Sequence, residues 1–417
     1  MNKIVISGAM ILAASTAYAA TSPVRIVKTL TKTVTVITAP AKSFVSGIVP
    51  KAVAAKAAAV IEPVKGAIST GLLPGQGQLA KVASNFNTSP LLVPSWGSGD
   101  IPASGRPDVV GAFRFICSPG QVRRDDPLVF PGQPGKSHLH QFFGNTGTNA
   151  FSTYESLRTS GDSTCNNMLN RSAYWIPAML DGKGKVVRPD YVSIYYKRRP
   201  ESDPECQREA KACVALPRGL RFIFGYNMAT DVAGGHFYFN CDGPTATPGH
   251  YPDIVTAAKN CPVGNRLGAI VAGPDCWDGK NLDSADHRSH MANGYYNMEG
   301  RYGCPASHPY LVPQFTLGAW YEVDGNLDTS GEWAPGKSTW SLSSDTMPGM
   351  PVKRPGSTFH ADWVGAWDDD VMNMWIDNCI NKLLNCSGGD LGNGKQLKVM
   401  PGFSWTAQPR LVDIPAA

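Results

Sequence analysis

Cysteine limits this chain's fold more than any other residue. The 417 residues include ten cysteines: Cys117, Cys165, Cys206, Cys213, Cys241, Cys261, Cys276, Cys304, Cys379 and Cys386. The number is even, and none precedes residue 117. No Cys-x-x-Cys pair offers the spacing of a structural zinc site, so disulfides formed in an oxidising compartment are expected. Cys206/Cys213 and Cys379/Cys386 are close enough in sequence for local bridges, and Cys276/Cys304 would tie a long polar loop to a sheet. Full connectivity is not readable from spacing.

The first residues agree with export. Lys3 precedes an apolar run from Ile4 to Ala14, and Ala17 and Ala19 are the small residues of a cleavage site. Met1–Ala19 is therefore expected to be a signal peptide, and the protein secreted or periplasmic. That run is too short to span a bilayer, and no later stretch qualifies. Residues 20–100 lack cysteine and are rich in Ala, Val, Thr and Lys, with Pro40, Pro50, Pro63 and Pro74 breaking any helix. They read as a basic tail or linker, with a basic anchor to an acidic cell surface or polysaccharide as the alternative. The net charge of +5 is too mild to indicate nucleic acid.

From residue 101 to 417 the pattern is that of a globular domain. Short runs rich in aromatic and β-branched residues, bounded by Gly, Pro and Asp, predict strands. They are Gly111–Cys117, Ser137–Phe143, Tyr174–Met179, Tyr191–Lys197, Leu220–Tyr226, Gly235–Cys241, Leu267–Ala272, Gln314–Val323, Ser338–Ser343 and Thr358–Val364. High Gly and Pro favour the same class. The expectation is a mainly β protein: a single large disulfide-stabilised β-sandwich or jelly-roll-like domain with long loops. One C-terminal helix is predicted from Asp368 to about Leu384. Acidic residues open it, and Val371, Trp375, Cys379 and Leu383 form an apolar stripe.

Chemistry concentrates in a few polar clusters. The stretch Cys276–His290 holds Asp278, Lys280, Asp283, Asp286, His287, Arg288 and His290 without apolar periodicity, which marks a functional loop. Ser137-His-Leu-His140 follows Arg123-Arg-Asp-Asp126. On a strand, His138 and His140 would share a face and converge on one ion. His360 and Asp362 share a face in the same way. Candidate catalytic residues are His138, His140, Asp278, Asp286, His287, His290, His360 and Asp362. Asp125, Lys280, Arg288, Trp277 and Trp363 are candidate substrate contacts, the cations for a carboxylate or sulfate and the indoles for sugar faces. One divalent metal ion, if present, is expected on His138, His140 and His290. Structural histidines and core tryptophans are the competing assignments. No Gly-x-Ser-x-Gly elbow supports a serine nucleophile.

Several segments resemble a family of secreted fungal and bacterial proteins classed as the domain of unknown function DUF1996. They are Arg124-Asp-Asp-Pro127, Pro131–His140, Tyr174-Trp-Ile-Pro177, Pro217-Arg-Gly-Leu220, Cys276–Met291, Cys304–Pro309 and Phe359-His-Ala-Asp-Trp363. The resemblance implies export and work on or near polysaccharide, because relatives often carry cell-wall-binding modules. It carries no settled activity. The functional expectation is therefore a secreted carbohydrate-active enzyme cleaving glycosidic bonds at a His/Asp-rich site, as a glycoside hydrolase or polysaccharide lyase. The alternative is a non-catalytic metal- or glycan-binding cell-surface protein. Polysaccharide or cell-wall glycan is the expected partner.

Overall fold

The computed structural model describes residues 79–95, 103, 110–232 and 236–416. The expected signal peptide and most of the basic tail lie outside them. Packing begins before residue 101, however. Leu92–Pro94 pairs with Lys395–Leu397, Lys81 meets Asp370 at 2.7 Å, and Leu79 and Val82 touch a buried cluster of the body.

Eleven strands form the two larger sheets. The strands are β1 Gly111–Cys117, β2 Val122–Arg123, β3 His140–Gly144, β4 Ala173–Pro177, β5 Tyr191–Arg198, β6 Arg221–Gly225, β7 Phe237–Asp242, β8 Arg266–Ala272, β9 Gln314–Glu322, β10 His360–Val364 and β11 Asn385–Cys386. One sheet has the order β7-β8-β9-β5-β1-β11, the other β6-β10-β4-β3-β2. Along β5 every second residue is buried, the period-2 pattern of a strand with one face on a core.

The two sheets face each other through aromatic side chains. Phe315 of β9 lies 5.0 Å from Trp363 of β10 and 5.2 Å from Phe224 of β6, centroid to centroid. The Tyr174 and Tyr196 hydroxyls hydrogen-bond across the layer at 2.8 Å. This is the expected sandwich. The outer face of the five-stranded sheet carries Phe142, Trp175 and Ile223, covered by Leu128 and by helix α1, Tyr154–Thr159.

The C-terminal helix starts where its capping residue predicts. Asp368 accepts from the Val371 amide, and α2 spans Asp369–Trp375. It then widens into a π-helical turn, Ile376–Ile380, and is shorter than the apolar stripe suggested. Trp375 stacks on Phe113 at 5.3 Å and Tyr196 at 5.0 Å, so the helix seals the sandwich core.

The two local bridges and Cys276–Cys304 form as expected, joined by Cys117–Cys165 and Cys241–Cys261. Among the described residues no cysteine is free, which fits an oxidising compartment. No helix among them is long and apolar enough to cross a membrane.

Register positions the polar groups. Strands β3 and β10 both run antiparallel to β4, so they start at the same end of the sheet. Asp362 pairs with Trp175, Trp175 pairs with Phe142, and paired residues share a face. His360 and His140, two residues before Asp362 and Phe142, therefore emerge together on the outer face. Gly225 pairs with His360 at a φ of 87°, and a Cβ there would sit 2.7 Å from the Phe359 carbonyl oxygen and 2.9 Å from His360 Cα. Gly225→Ala should thus cost about 1–3 kcal/mol through a strained backbone. Denaturant unfolding measures this, and an unchanged midpoint would refute the close-packing argument.

Candidate metal centre

His140 opens β3, His360 opens β10, and His138 reaches the same place from the segment before β3. The strand begins at His140 rather than Ser137, so strand alternation does not bring His138 and His140 together. Hydrogen bonding does. His138 Nδ1 lies 3.0 Å from Ser343 Oγ and 3.3 Å from the Leu139 carbonyl oxygen. His140 Nδ1 lies 3.0 Å from the Asp125 carbonyl oxygen, and His360 Nδ1 lies 2.8 Å from that of Thr358.

A carbonyl accepts only, so these contacts put the proton of His140 and His360 on Nδ1 and leave Nε2 with a free lone pair. His140 Nε2 is buried with no partner in the protein. One ligand atom from each of His138, His140 and His360 can be chosen so that all lie within 4.8 Å of one another. Three close histidines so arranged can hold a metal ion at the ~2.0–2.1 Å typical of imidazole nitrogen after a small inward turn of the rings. All three are kept neutral, as ligation requires. Burial pushes His140 down to about 3, helped by His360, and pushes His360 down to about 3, helped by His138. Burial and the neighbouring His140 hold His138 well below its usual value.

The third histidine of this cluster is His360; the expected His290 is not among the three. Both of its nitrogens are engaged, Nε2 with the Arg221 carbonyl oxygen at 2.9 Å and Nδ1 with Ser284 Oγ at 2.8 Å.

Two buried carboxyls flank the histidines. Asp362 Oδ2 has no partner; burial drives its pKa well up, the nearby Asp126 adds to this, and Arg288 opposes it. Asp126 is also pushed up by burial, against hydrogen bonds from the Leu128 and Val129 amides to Oδ1 at 2.8 and 2.9 Å. His287 is close enough to act on Asp126 electrostatically. The loop that carries His287 and Arg288 lies along the free edge of β6: the Arg221 and Ile223 amides donate to the Leu282 and His287 carbonyls.

Several other residues expected to carry chemistry are occupied with structure. Asp278 accepts from the Lys280 and Asn281 amides and from Asn281 Nδ2, which makes it a turn former. Asp286 accepts from Ser284 Oγ and the Arg288 and Ser289 amides. Burial would raise it, but the bonds from Ser289, Ser284 and Arg288 outweigh this and hold it well below the usual carboxylate range. His287 is paired with Asp283 at 2.8 Å. Arg288 donates to the Gly225 and Tyr226 carbonyls. Lys280 is exposed. Trp277 and Trp363 are core side chains, not sugar platforms: Trp277 donates to the Asn281 carbonyl, and Trp363 lies against Phe222 and Phe315. Asp125 accepts from the Gly135 amide and, through its own carbonyl, holds His140. Its role is to position a ligand.

One residue that sequence alone does not flag organises this shell. Buried Asp345 accepts from the Leu342 and Gly356 amides, each at 2.7 Å, and from Thr358 Oγ1 at 2.7 Å. It thereby locks together the segments that present Ser343 to His138 and Thr358 to His360. Its signal would have been a serine-rich run ending in a lone acid, Ser343-Ser344-Asp345, which has no distinguishing spacing.

The model of the family described as domain of unknown function DUF1996 matches residues 126–367, a span that includes His138, His140, His360, Asp362 and the loop around His287. No curated protein and no solved structure matches the chain. The match covers more than half of the sequence and includes the histidine cluster and most strands of both sheets, and the chain belongs to the DUF1996 family.

Proposed function

We propose that this protein is an exported metal-dependent enzyme whose centre is a divalent ion on His138, His140 and His360. The observation that carries the proposal is the convergence of three neutral imidazoles with His140 Nε2 left without any protein partner. Three protein ligands leave coordination positions for water or substrate, the arrangement of catalytic rather than structural zinc sites. When bound, the ion supplies Lewis acidity and lowers the pKa of a coordinated water. The chain's own residues then have defined tasks. Asp125 and Thr358 carbonyls, with Ser343, aim the imidazoles. Asp362 and Asp126 form a buried carboxyl pair that disfavours double ionisation and so retains a proton beside the centre. Polysaccharide is the proposed substrate class, on the strength of the family resemblance and of an oxidising, extracellular setting.

Burial favours a second possibility. His140 is 0% and His360 5% exposed, and both tryptophans expected to bind sugar are in the core. A non-catalytic metal-binding protein would have such an enclosed site.

Elemental analysis of the purified protein, before and after chelation, alongside a reducing-end assay on a polysaccharide panel separates these cases. The expected result is one divalent ion per chain, absent in His140→Ala, with activity lost on chelation and restored by metal. Metal without turnover would favour the binding protein, and absence of metal from the wild type would refute the centre altogether.

The metal-free protein should also show a characteristic acid sensitivity. Histidine in the unfolded chain titrates near ~6.5, whereas folded His140 and His360 titrate at about 3. Between these values the unfolded state binds more protons, so stability rises with pH and is lost as pH falls from about 6.5 toward 3. Denaturant unfolding in chelator across that range should show a shallower loss for His140→Gln than for wild type. Parallel curves would contradict burial of a neutral His140.

A further inference from the structure

Most of the described arginines have hydrogen-bonded work inside the fold. Arg158, Arg218, Arg221, Arg266 and Arg354 meet carboxylates, and Arg188 and Arg288 hold backbone carbonyls. Arg124 differs. Its Nε is buried without a hydrogen-bond partner, and no carboxylate pairs with its guanidinium among the described residues.

Its position is informative. The Arg124 carbonyl accepts from the Ser137 amide at 2.9 Å, which ties it to the residue before His138. Its charge is felt at the His138 ring. The acids beside it in sequence are spent, Asp125 on the Gly135 amide and Asp126 on the Leu128 and Val129 amides. Arg123 and Lys136 are exposed neighbours that also lack a carboxylate partner among the described residues. A guanidinium near the His138 ring, paired with no carboxylate among the described residues, adds positive charge beside the histidine cluster, and a bound dication would increase it. A planar, always-charged fork of donors suits carboxylate or sulfate oxygens.

We propose that Arg124 anchors an oxyanion of the ligand, a carboxylate or a sulfate ester carried on an acidic sugar, beside the three-histidine centre. Arg288 is less suited to this part, because its Nη1 and Nη2 already donate to the Gly225 and Tyr226 carbonyls. The proposal rests on the metal centre proposed above and deepens it by naming the substrate class as acidic rather than neutral saccharide.

The test uses the full chain loaded with Co²⁺, whose visible absorption reports on its coordination. Wild type, Arg124→Gln and Arg124→Lys are each titrated with glucuronate, glucose 6-sulfate and glucose. Metal content and melting temperature are recorded for every variant. The acidic sugars should perturb the wild-type spectrum and glucose should not. Arg124→Gln should take up Co²⁺ normally but bind the acidic sugars about ten- to a hundredfold more weakly, the loss expected for one charge-assisted contact. Arg124→Lys should recover part of that loss, and it stands in for the charge comparison if Arg124→Gln does not fold. A response to glucuronate but not the sulfate, or the reverse, identifies which oxyanion is taken. Equal affinities in wild type and Arg124→Gln, or no preference of wild type for acidic sugars over glucose, would overturn the assignment while leaving the metal centre standing. Failure of wild type to take up Co²⁺ would remove the centre and this inference with it.

Discussion

A buried imidazole can offer a lone pair to a metal only when its other nitrogen has a place for the proton. Here the Asp125 and Thr358 carbonyls provide that place for His140 and His360. Without them both rings would be free to adopt the wrong tautomer or to turn away, and burying three histidines side by side would be a net cost. The arrangement depends on the Asp125 and Thr358 carbonyls and the Ser343 hydroxyl, from segments around residues 125, 343 and 358. Asp345 joins two of these by taking several of their donors at once.

The sandwich explains why the centre lies where it does. The inner face of the five-stranded sheet is committed to aromatic packing against β9 and β5. Side chains at alternate positions of β3 and β10, among them His140, His360 and Asp362, then point outward. Asp362 and Asp126 are nonetheless buried, and desolvation raises both carboxyls. The same outward placement that makes the histidines ligand-like makes the acids reluctant to ionise.

Much of the fold is legible in the sequence because its signals are local. Runs of aromatic and β-branched residues mark β1, β5, β8 and β9 almost to the residue, and short cysteine spacings mark two bridges. The site is only half legible. The pair His138 and His140 is visible as a motif, but His138 lies before strand β3 and is held by its contacts with Ser343 and the Leu139 carbonyl. His360 is separated from them by more than two hundred residues and joins them through register with β4, which no short-range pattern encodes. His290 misleads because polar density in a loop looks alike whether the groups face a ligand or one another. Asp278, Asp286 and His290 spend their polarity on the loop's own turns and on β6.

That loop has one more consequence. Strand β6 is the last in its sheet, and its outward-facing amides and carbonyls are taken up by the Leu282 and His287 carbonyls and by the His290 and Arg288 side chains. An uncovered strand carrying Phe222 and Phe224 would be a template for adding a strand from another molecule. The Cys276–Cys304 bridge fastens the start of the loop. In a reducing environment the first thing lost need not be the fold's core. The Cys276–Cys304 bridge, by fastening the loop, helps to keep a pairing-prone edge shielded.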